Sequence, residues 1–503
     1  MKANKITYRV LLIAGFILVN GFILFGIAQI LSYLNTGADK ASMFHQDMVK
    51  ENYYTPKVTW NDGTNEGRPM EQPTLQKIEQ HYLDAWYTRA QSLQRKDTRG
   101  IEDVYTEQAK EHLTAIVEHN AAQKIRIESS SLNHTITLDF YSADGNMVVF
   151  TDNDVRTYSA TYVDNIFQFD TTEIACYKII MLLEDGFWRI RHQEKFKISK
   201  PQKQHAEISN FNPVIGLNYY PKGSPWDTFN ESFSTEVLAA DFKKINALGL
   251  KTIRIFIGYE DFGGATISEI KIERLIQLLD IAETNDLSVI VTLFDFYGDY
   301  AVLDWSRTQL HAQTIVSSIA HHKALHSWDI KNEPDLDFES RGKNRVTAWL
   351  KEMNHTIKEI DSIHPTTIGW SSASAATNLV NTLDYISFHH YQALEALPEA
   401  YKLLEEKSDK NIVLQEFGLS TYFGIWNIFG YSETDQFEYY ETFFKMQKKD
   451  SQNYLFWTLY DFDEIPSSVA GIYPWRKNKQ AYFGIINLEG NPKEAFELFK
   501  ISE

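Results

Sequence analysis

Eight short apolar runs, each followed by an amphipathic stretch long enough for a helix, repeat through the second half of this chain. The runs are Val214–Tyr219, Thr252–Phe256, Ser288–Leu293, Ser327–Asn332, Thr366–Trp370, Tyr385–His389, Ile412–Glu416 and Tyr454–Leu459. Helices fit between them at Ser234–Leu248, Ile267–Asn285, Arg307–His321, Val346–Ile360, Ala396–Ser408 and Thr434–Lys448. Strands apolar on both faces, alternating with helices, belong to a parallel sheet covered on both sides. Eight such repeats are the number that closes a (β/α)8 TIM barrel. An open doubly wound sheet is the alternative, but its Gly-rich phosphate loop would follow the first strand, and no such loop follows Val214–Tyr219. The expected fold class is therefore α/β, with a barrel over residues 213–503 and reactive groups at the strand C-termini.

Two of the runs end on glutamate. In Trp328-Asp329-Ile330-Lys331-Asn332-Glu333-Pro334-Asp335, Pro334 biases Glu333 away from helical geometry, so its carboxylate belongs where strand gives way to loop. In Ile412-Val413-Leu414-Gln415-Glu416-Phe417-Gly418 an apolar strand again ends on an acid before a glycine. Retaining glycosidases need two carboxyl groups ~5–5.5 Å apart, one to attack the anomeric carbon and one to protonate the leaving oxygen. Glutamates at the ends of a fourth and a seventh strand would face each other across a barrel mouth.

These two segments, with Gly216-Leu217-Asn218-Tyr219-Tyr220-Pro221, Thr252-Ile253-Arg254-Ile255-Phe256 and Ser387-Phe388-His389-His390-Tyr391, resemble the clan of barrel glycoside hydrolases that carry paired glutamates on strands four and seven. The resemblance is greatest to family 5 (cellulases and mannanases) or the catalytic barrel of family 2, and it runs from about Pro213 to Phe496. It implies Glu333 as acid/base, Glu416 as nucleophile and Asn332 as a partner of the sugar 2-OH. It implies that Arg254, ending strand two, pairs with Glu416 and keeps it ionised, that His389 lies near the acid/base and Tyr391 near the nucleophile, and that Trp457 floors the sugar being cleaved. Of the neighbouring His389 and His390, the residues leave open which takes the family position. Glu333 must be neutral to donate, so its pKa is expected to be raised, with the charge on Glu416 contributing. Trp226 and Trp305 are candidates for outer sugar subsites. Asp335, Asp337 and Glu339 read as a solvated acidic loop, and neither a metal nor an organic cofactor is implied. One departure stands out: Phe294-Asp295-Phe296-Tyr297-Gly298-Asp299 occupies a loop where many relatives place a histidine that touches the glycone.

The first half of the chain is different. Lys2, Lys5 and Arg9 precede an uncharged run from Val10 to Leu34, long enough to cross a ~30 Å hydrocarbon core. Residues 1–35 are expected to be an uncleaved membrane anchor with its N-terminus inside and the rest of the chain extracytoplasmic; a cleaved signal peptide is the alternative. Residues 36–71 are polar and rich in turn formers and read as a tether. Apolar positions at Leu75, Ile78, Tyr82, Leu83 and Trp86 predict a helix, and a second covers Glu107–Asn120. Period-two strands follow, with a turn at Asp144-Gly145 and a last pair, Glu173–Leu183 and Phe187–Phe196, joined at Glu184-Asp185-Gly186. This order resembles the SnoaL-like branch of the NTF2-like superfamily over residues 72–198, which implies an α+β cone capable of self-association. Residues 199–212 read as a linker.

Composition narrows the partners. With 49 basic and 67 acidic residues the net charge is −18, which disfavours nucleic acid. The single Cys176 excludes an internal disulfide and any Cys-based metal site. Eleven Trp and 27 Tyr supply flat rings suited to sugar faces beyond those needed for packing. The reading is a membrane-anchored retaining β-glycoside hydrolase whose partner is a β-linked glucan, mannan or exopolysaccharide. Two alternatives are a transglycosylase using the same residues and a non-catalytic polysaccharide-binding or export-assembly protein on a barrel scaffold.

Overall fold

A computed structural model describes residues 16, 18–21, 23, 54–61, 65–197, 211–424, 430–446 and 453–500. Most of the expected anchor and most of the linker over 199–212 lie outside these residues. Among the described residues no helix is long and apolar enough to cross a membrane.

The compact unit from Tyr54 to Glu503 contains two sheets. The first has five strands in sequence order: β1 (Lys57–Asn61), β2 (Ile125–Tyr141), β3 (Met147–Val163), β4 (Ile166–Glu184) and β5 (Phe187–Lys197). The pairs β2–β3, β3–β4 and β4–β5 are antiparallel, whereas β1 runs parallel to β2. Helices α1 (Gln72–Arg95) and α2 (Glu107–Ala122) pack on it, and α1 buries Ile78, Tyr82, Ala85, Trp86 and Leu93. Residues 57–61 fall within the stretch read as a tether. They form a strand because Val58 and Trp60 turn inward while Lys57, Thr59 and Asn61 stay exposed.

The second sheet is a closed barrel of eight parallel strands. In chain order these are β6 (Ile215–Asn218), β7 (Thr252–Gly258), β8 (Ser288–Asp295), β9 (Leu325–Asn332), β10 (Thr366–Trp370), β11 (Ile386–His390), β12 (Ile412–Phe417) and β13 (Asn453–Phe456). Around them lie α3 (Thr235–Ala247), α4 (Glu269–Thr284), α5 (Trp305–Ile319), α6 (Lys343–Ile360), α7 (Leu397–Glu405), α8 (Glu433–Met446) and α9 (Pro474–Ala481). The strands are buried on both faces, which their β-branched and aromatic content suits. The N-terminus of α3 is capped by Ser234, whose hydroxyl accepts from the Val237 N–H.

The five-stranded sheet lies against the barrel flank and, beside a core of its own, contributes to the barrel's. Tyr158 of β3 stacks on Trp305 of α5 at 4.2 Å, and Leu132, Tyr158 and Ala160 belong to the same buried cluster as the barrel interior. Arg156 donates from Nε and Nη2 to the two Glu352 oxygens at 2.8 Å each. Arg345 reaches Glu128 at 2.7 and 2.8 Å. Trp305 is fully buried in this junction, so it is a packing residue and not the sugar subsite expected of it.

Candidate active site

The barrel mouth is organised by Arg254. It lies within β7 instead of ending it, and a strand with apolar neighbours on both sides carries its side chain up the barrel axis. The guanidinium is fully buried and uses its donors on five partners. Nε reaches Thr292 Oγ1 at 3.0 Å and Asp329 Oδ2 at 2.9 Å. Nη1 donates to Asn218 Oδ1 at 3.1 Å and Glu416 Oε1 at 2.6 Å, and Nη2 to Asn332 Oδ1 at 2.9 Å and Asp329 Oδ2 at 2.5 Å. Burial opposes the charge, but Asp329 and Glu416 outweigh it and hold the pKa above its ordinary value. A planar fork with fixed donors can orient a carboxylate in this way, whereas an ammonium cannot.

Glu333 follows β9 directly. Its backbone adopts φ 44°, ψ 49°, so Pro334 does keep it out of the right-handed helix, but it is left-handed instead of extended. Such a conformation costs a non-glycine residue about 1–3 kcal/mol and persists only where its surroundings hold it. The Glu333 N–H donates to Gly369 O at 2.6 Å, anchoring the turn to β10.

His389, not His390, stands between the two glutamates. Its Nδ1 lies 2.9 Å from Glu333 Oε1 and 3.5 Å from Glu416 Oε2. The two oxygens are thus separated by no more than the sum of those distances, which falls below the ~6.5–9.5 Å spacing of inverting pairs. His390 turns away and bonds Ala393 O at 3.1 Å. Tyr391 donates to Glu416 Oε2 at 2.9 Å. Glu416 therefore receives Arg254 on one oxygen and Tyr391 on the other.

The protonation pattern differs from expectation. Burial pushes the Glu333 carboxyl up, but the hydrogen bond and charge of His389, with Arg254 and Lys331, overcome it and the pKa is lowered. Burial likewise opposes charge on His389, and the carboxylates of Glu416 and Glu333 raise its pKa above the usual histidine value. The pair is tied by one hydrogen bond, so the proton is held between the two groups instead of on an isolated Glu333.

Above these groups opens a pocket of about 700 Å³, within the range of small-molecule sites. Asn332, Glu333, Tyr391, Glu416 and Trp457 all line it. Trp457 is 4% exposed and packs among Tyr220, Trp226 and Phe256 with ring centroids 5.9–6.1 Å away, giving an aromatic floor. Trp226 also lines the pocket, in contrast to Trp305. Asp295, in the departing loop, is a lining residue whose carboxyl burial pushes up to about 6 despite Lys331 and Arg254. The acidic loop is less solvated than its sequence suggests: Asp337 accepts from the Tyr300 hydroxyl at 2.6 Å, and Asp335 accepts from Ser371.

Several residues of the site carry no role in the sequence reading. Asp329 anchors Arg254 and also accepts the Gly369 N–H at 2.9 Å. Period-two alternation back from Glu333 puts Asp329 and Lys331 on the inward side of β9, a signal that was available. Thr292 donates to Asp329 Oδ2 at 2.8 Å, and Asn218 donates to Gln415 O at 2.8 Å. Gly369 leaves space: a Cβ there would stand 2.5 Å from Gln415 Oε1 and 2.7 Å from Arg254 Nη2.

Residues 217–463 match the family model for cellulase (glycosyl hydrolase family 5). Over these residues the barrel is similar to the glycosyl hydrolases of that family. Mannan endo-1,4-beta-mannosidase 3 of Arabidopsis thaliana is 26% identical to this chain over 194 residues, 33% of this chain and 43% of the relative. The chain therefore spans less than half the length of that relative. Among solved structures, an exo-beta-1,4-mannosidase from Opitutaceae bacterium strain TAV5 is similar at 19% identity and TM-score 0.49, covering 60% of this chain and 61% of the other. A GH5_18 protein from Streptomyces cattleya in complex with GlcNAc is similar at 14% identity and TM-score 0.47, covering 59% and 82%.

Proposed function

We propose that the chain is a retaining β-glycoside hydrolase acting on a β-linked mannan, glucan or exopolysaccharide. The observation that carries this is the approach of Glu333 and Glu416 to one imidazole nitrogen at 2.9 and 3.5 Å, beneath an open pocket with an aromatic floor. Those distances bring one oxygen of each carboxylate to the same side chain, as a pair working on opposite sides of one anomeric carbon requires.

In the first step a Glu416 oxygen attacks the anomeric carbon as the glycosidic C–O bond breaks. Arg254 and Tyr391 hold that carboxylate in line. The one proton that Glu333 shares with His389 Nδ1 passes through Glu333 to the leaving oxygen, which leaves Glu333 ionised and His389 neutral for the next step. Asn332 spends its oxygen on Arg254, which frees its amide N–H groups for the sugar 2-OH. In the second step water attacks the glycosyl ester, Glu333 takes the water's proton, and the bond to Glu416 breaks. The match of the barrel to the cellulase family and the mannosidase relative support a mannan or glucan as the polymer.

Lys2, Lys5 and Arg9 before the uncharged run Val10–Leu34 support a membrane-anchored, extracytoplasmic enzyme. The helices and five-stranded sheet before the barrel are read as an NTF2-like module that buttresses it. Replacing Glu416 by Ala tests the mechanism: turnover should fall by several orders of magnitude, and azide should restore it with a glycosyl azide of inverted configuration. Undiminished turnover in Glu416→Ala would remove the double displacement.

A further inference from the structure

The pocket walls carry charge that the proposed chemistry does not use. Lys331 from β9 and Arg476 and Lys479 from α9 all line the pocket, on elements that rise from different sides of the barrel mouth. Lys331 is only 5% exposed. Its ammonium reaches Asn332 O at 3.3 Å and stands 3.7 Å from Asp337, contacts that leave donor capacity toward the pocket. Arg476 and Lys479 are exposed, and among the described residues neither has an ion-pair or hydrogen-bond partner for its side chain. In a chain with 67 acidic against 49 basic residues, two unpaired basic side chains at the pocket rim, above a third inside it, run against the overall composition.

The pocket's carboxylates are already occupied. Arg254 and Tyr391 hold Glu416, His389 holds Glu333, and Tyr300 with Lys331 faces Asp337. Asp295 is buried beside Lys331, and burial pushes its carboxyl toward the neutral form. The charge left over for a ligand is positive. On the same helix the exposed rings of Tyr473, at its N-terminus, and Trp475 stack at 4.6 Å, a flat apolar face beside the two cations. An aromatic platform next to unpaired guanidinium and ammonium groups suits a sugar ring that carries an anion.

We infer that this site takes an acidic saccharide: a β-linked glycan bearing carboxylates, such as hexuronic acid units, read by Arg476 and Lys479 at the rim and Lys331 inside. The inference rests on the glycosidase reading and sharpens its substrate class. Neutral mannan or glucan is then the weaker ligand.

The test uses the full chain with Glu333→Gln, which slows turnover so that binding can be measured. Cellohexaose and mannohexaose are titrated calorimetrically against the same chains oxidised to carboxylates at C6. The carboxylated chains should bind at least tenfold more tightly, about 1.4 kcal/mol. That preference should shrink in 0.5 M NaCl, because exposed charges are screened over a few ångströms there. Adding Arg476→Glu and Lys479→Glu, exposed positions whose exchange leaves the core intact, should abolish it. Equal affinity, binding of neither form, or a preference that survives both charge reversals would overturn the inference. Azide rescue of Glu416→Ala reports separately on the hydrolytic reading: failed rescue with the carboxylate preference intact would count against that reading alone.

Discussion

At the scale of single residues, the site depends on a buried cation with two carboxylate partners. Removing one member of such a cluster strands the others, which costs about 3–5 kcal/mol, whereas exchanging a whole buried pair for apolar groups is often neutral. Arg254→Met should therefore lower unfolding free energy by about that amount in urea titration. Adding Asp329→Leu should return much of the stability without returning activity, since Glu416 stays unoriented. The His389–Glu333 pair gives a pH signature. The folded pKa of His389 lies above its unfolded value, so its stabilisation is complete below that unfolded value and is lost as pH rises through the folded one. Glu333, whose folded pKa is depressed, contributes above its unfolded value and loses that contribution as pH falls through the folded one. The melting-temperature advantage of the wild type over His389→Gln should hold in the mildly acidic range and shrink on the alkaline side. A constant difference across pH would show that the pair carries no shared proton. This behaviour was not legible in the sequence. The motif placed a glutamate at a strand end, but which neighbour holds its proton depends on a histidine two strands away.

At the scale of elements, most strands and helices could be read from periodicity because the barrel's apolar runs are continuous and their helices amphipathic. The exceptions have local causes. The central hairpin of the five-stranded sheet turns at Asp164-Asn165, both with positive φ (49° and 66°), and this pair is a weaker signal than Asn-Gly or Asp-Gly. The strand Lys57–Asn61 alternates exposed and half-buried residues within a polar, turn-rich stretch and so looks like a tether. In the barrel, the strand Thr366–Trp370 makes its contribution by omission. Gly369 lies beside Asn332 of the preceding strand, and a methyl group there would meet both Gln415 and Arg254. Gly369→Ala should reduce kcat about 100-fold by displacing Arg254 and with it Glu416, since misplacement by about 1 Å has that effect. Steady-state kinetics beside a circular dichroism melt will separate this from simple destabilisation.

At the scale of the whole molecule, the α+β part keeps a core of its own and joins the barrel's through Leu132, Tyr158 and Ala160. The sequence shows a polar linker over 199–212 between the two and names no contact across it, because nothing in a helix-period pattern says that Trp305 will find Tyr158 in place of a sugar. A bidentate Arg156–Glu352 pair, the Arg345 Nη2 shared between both Glu128 oxygens, and that stack fix the sheet to the helices after the third and fourth barrel strands. Tyr158→Ala should cost about 3 kcal/mol or more through the cavity left against Trp305. It should lower the melting temperature of sheet and barrel together; two separated transitions, with only the first one moved, would show that the units fold independently.

Double displacement requires Glu416 to form a covalent bond to sugar while Glu333 faces it. Incubation with an activated 2-deoxy-2-fluoro β-mannoside or β-glucoside, followed by proteolysis and mass spectrometry, tests this most directly. One fluoroglycosyl group is expected, carried by the peptide containing Glu416 and absent after Glu416→Gln. Labelling at another carboxylate, or turnover of the reagent with inversion and no covalent adduct, would contradict it.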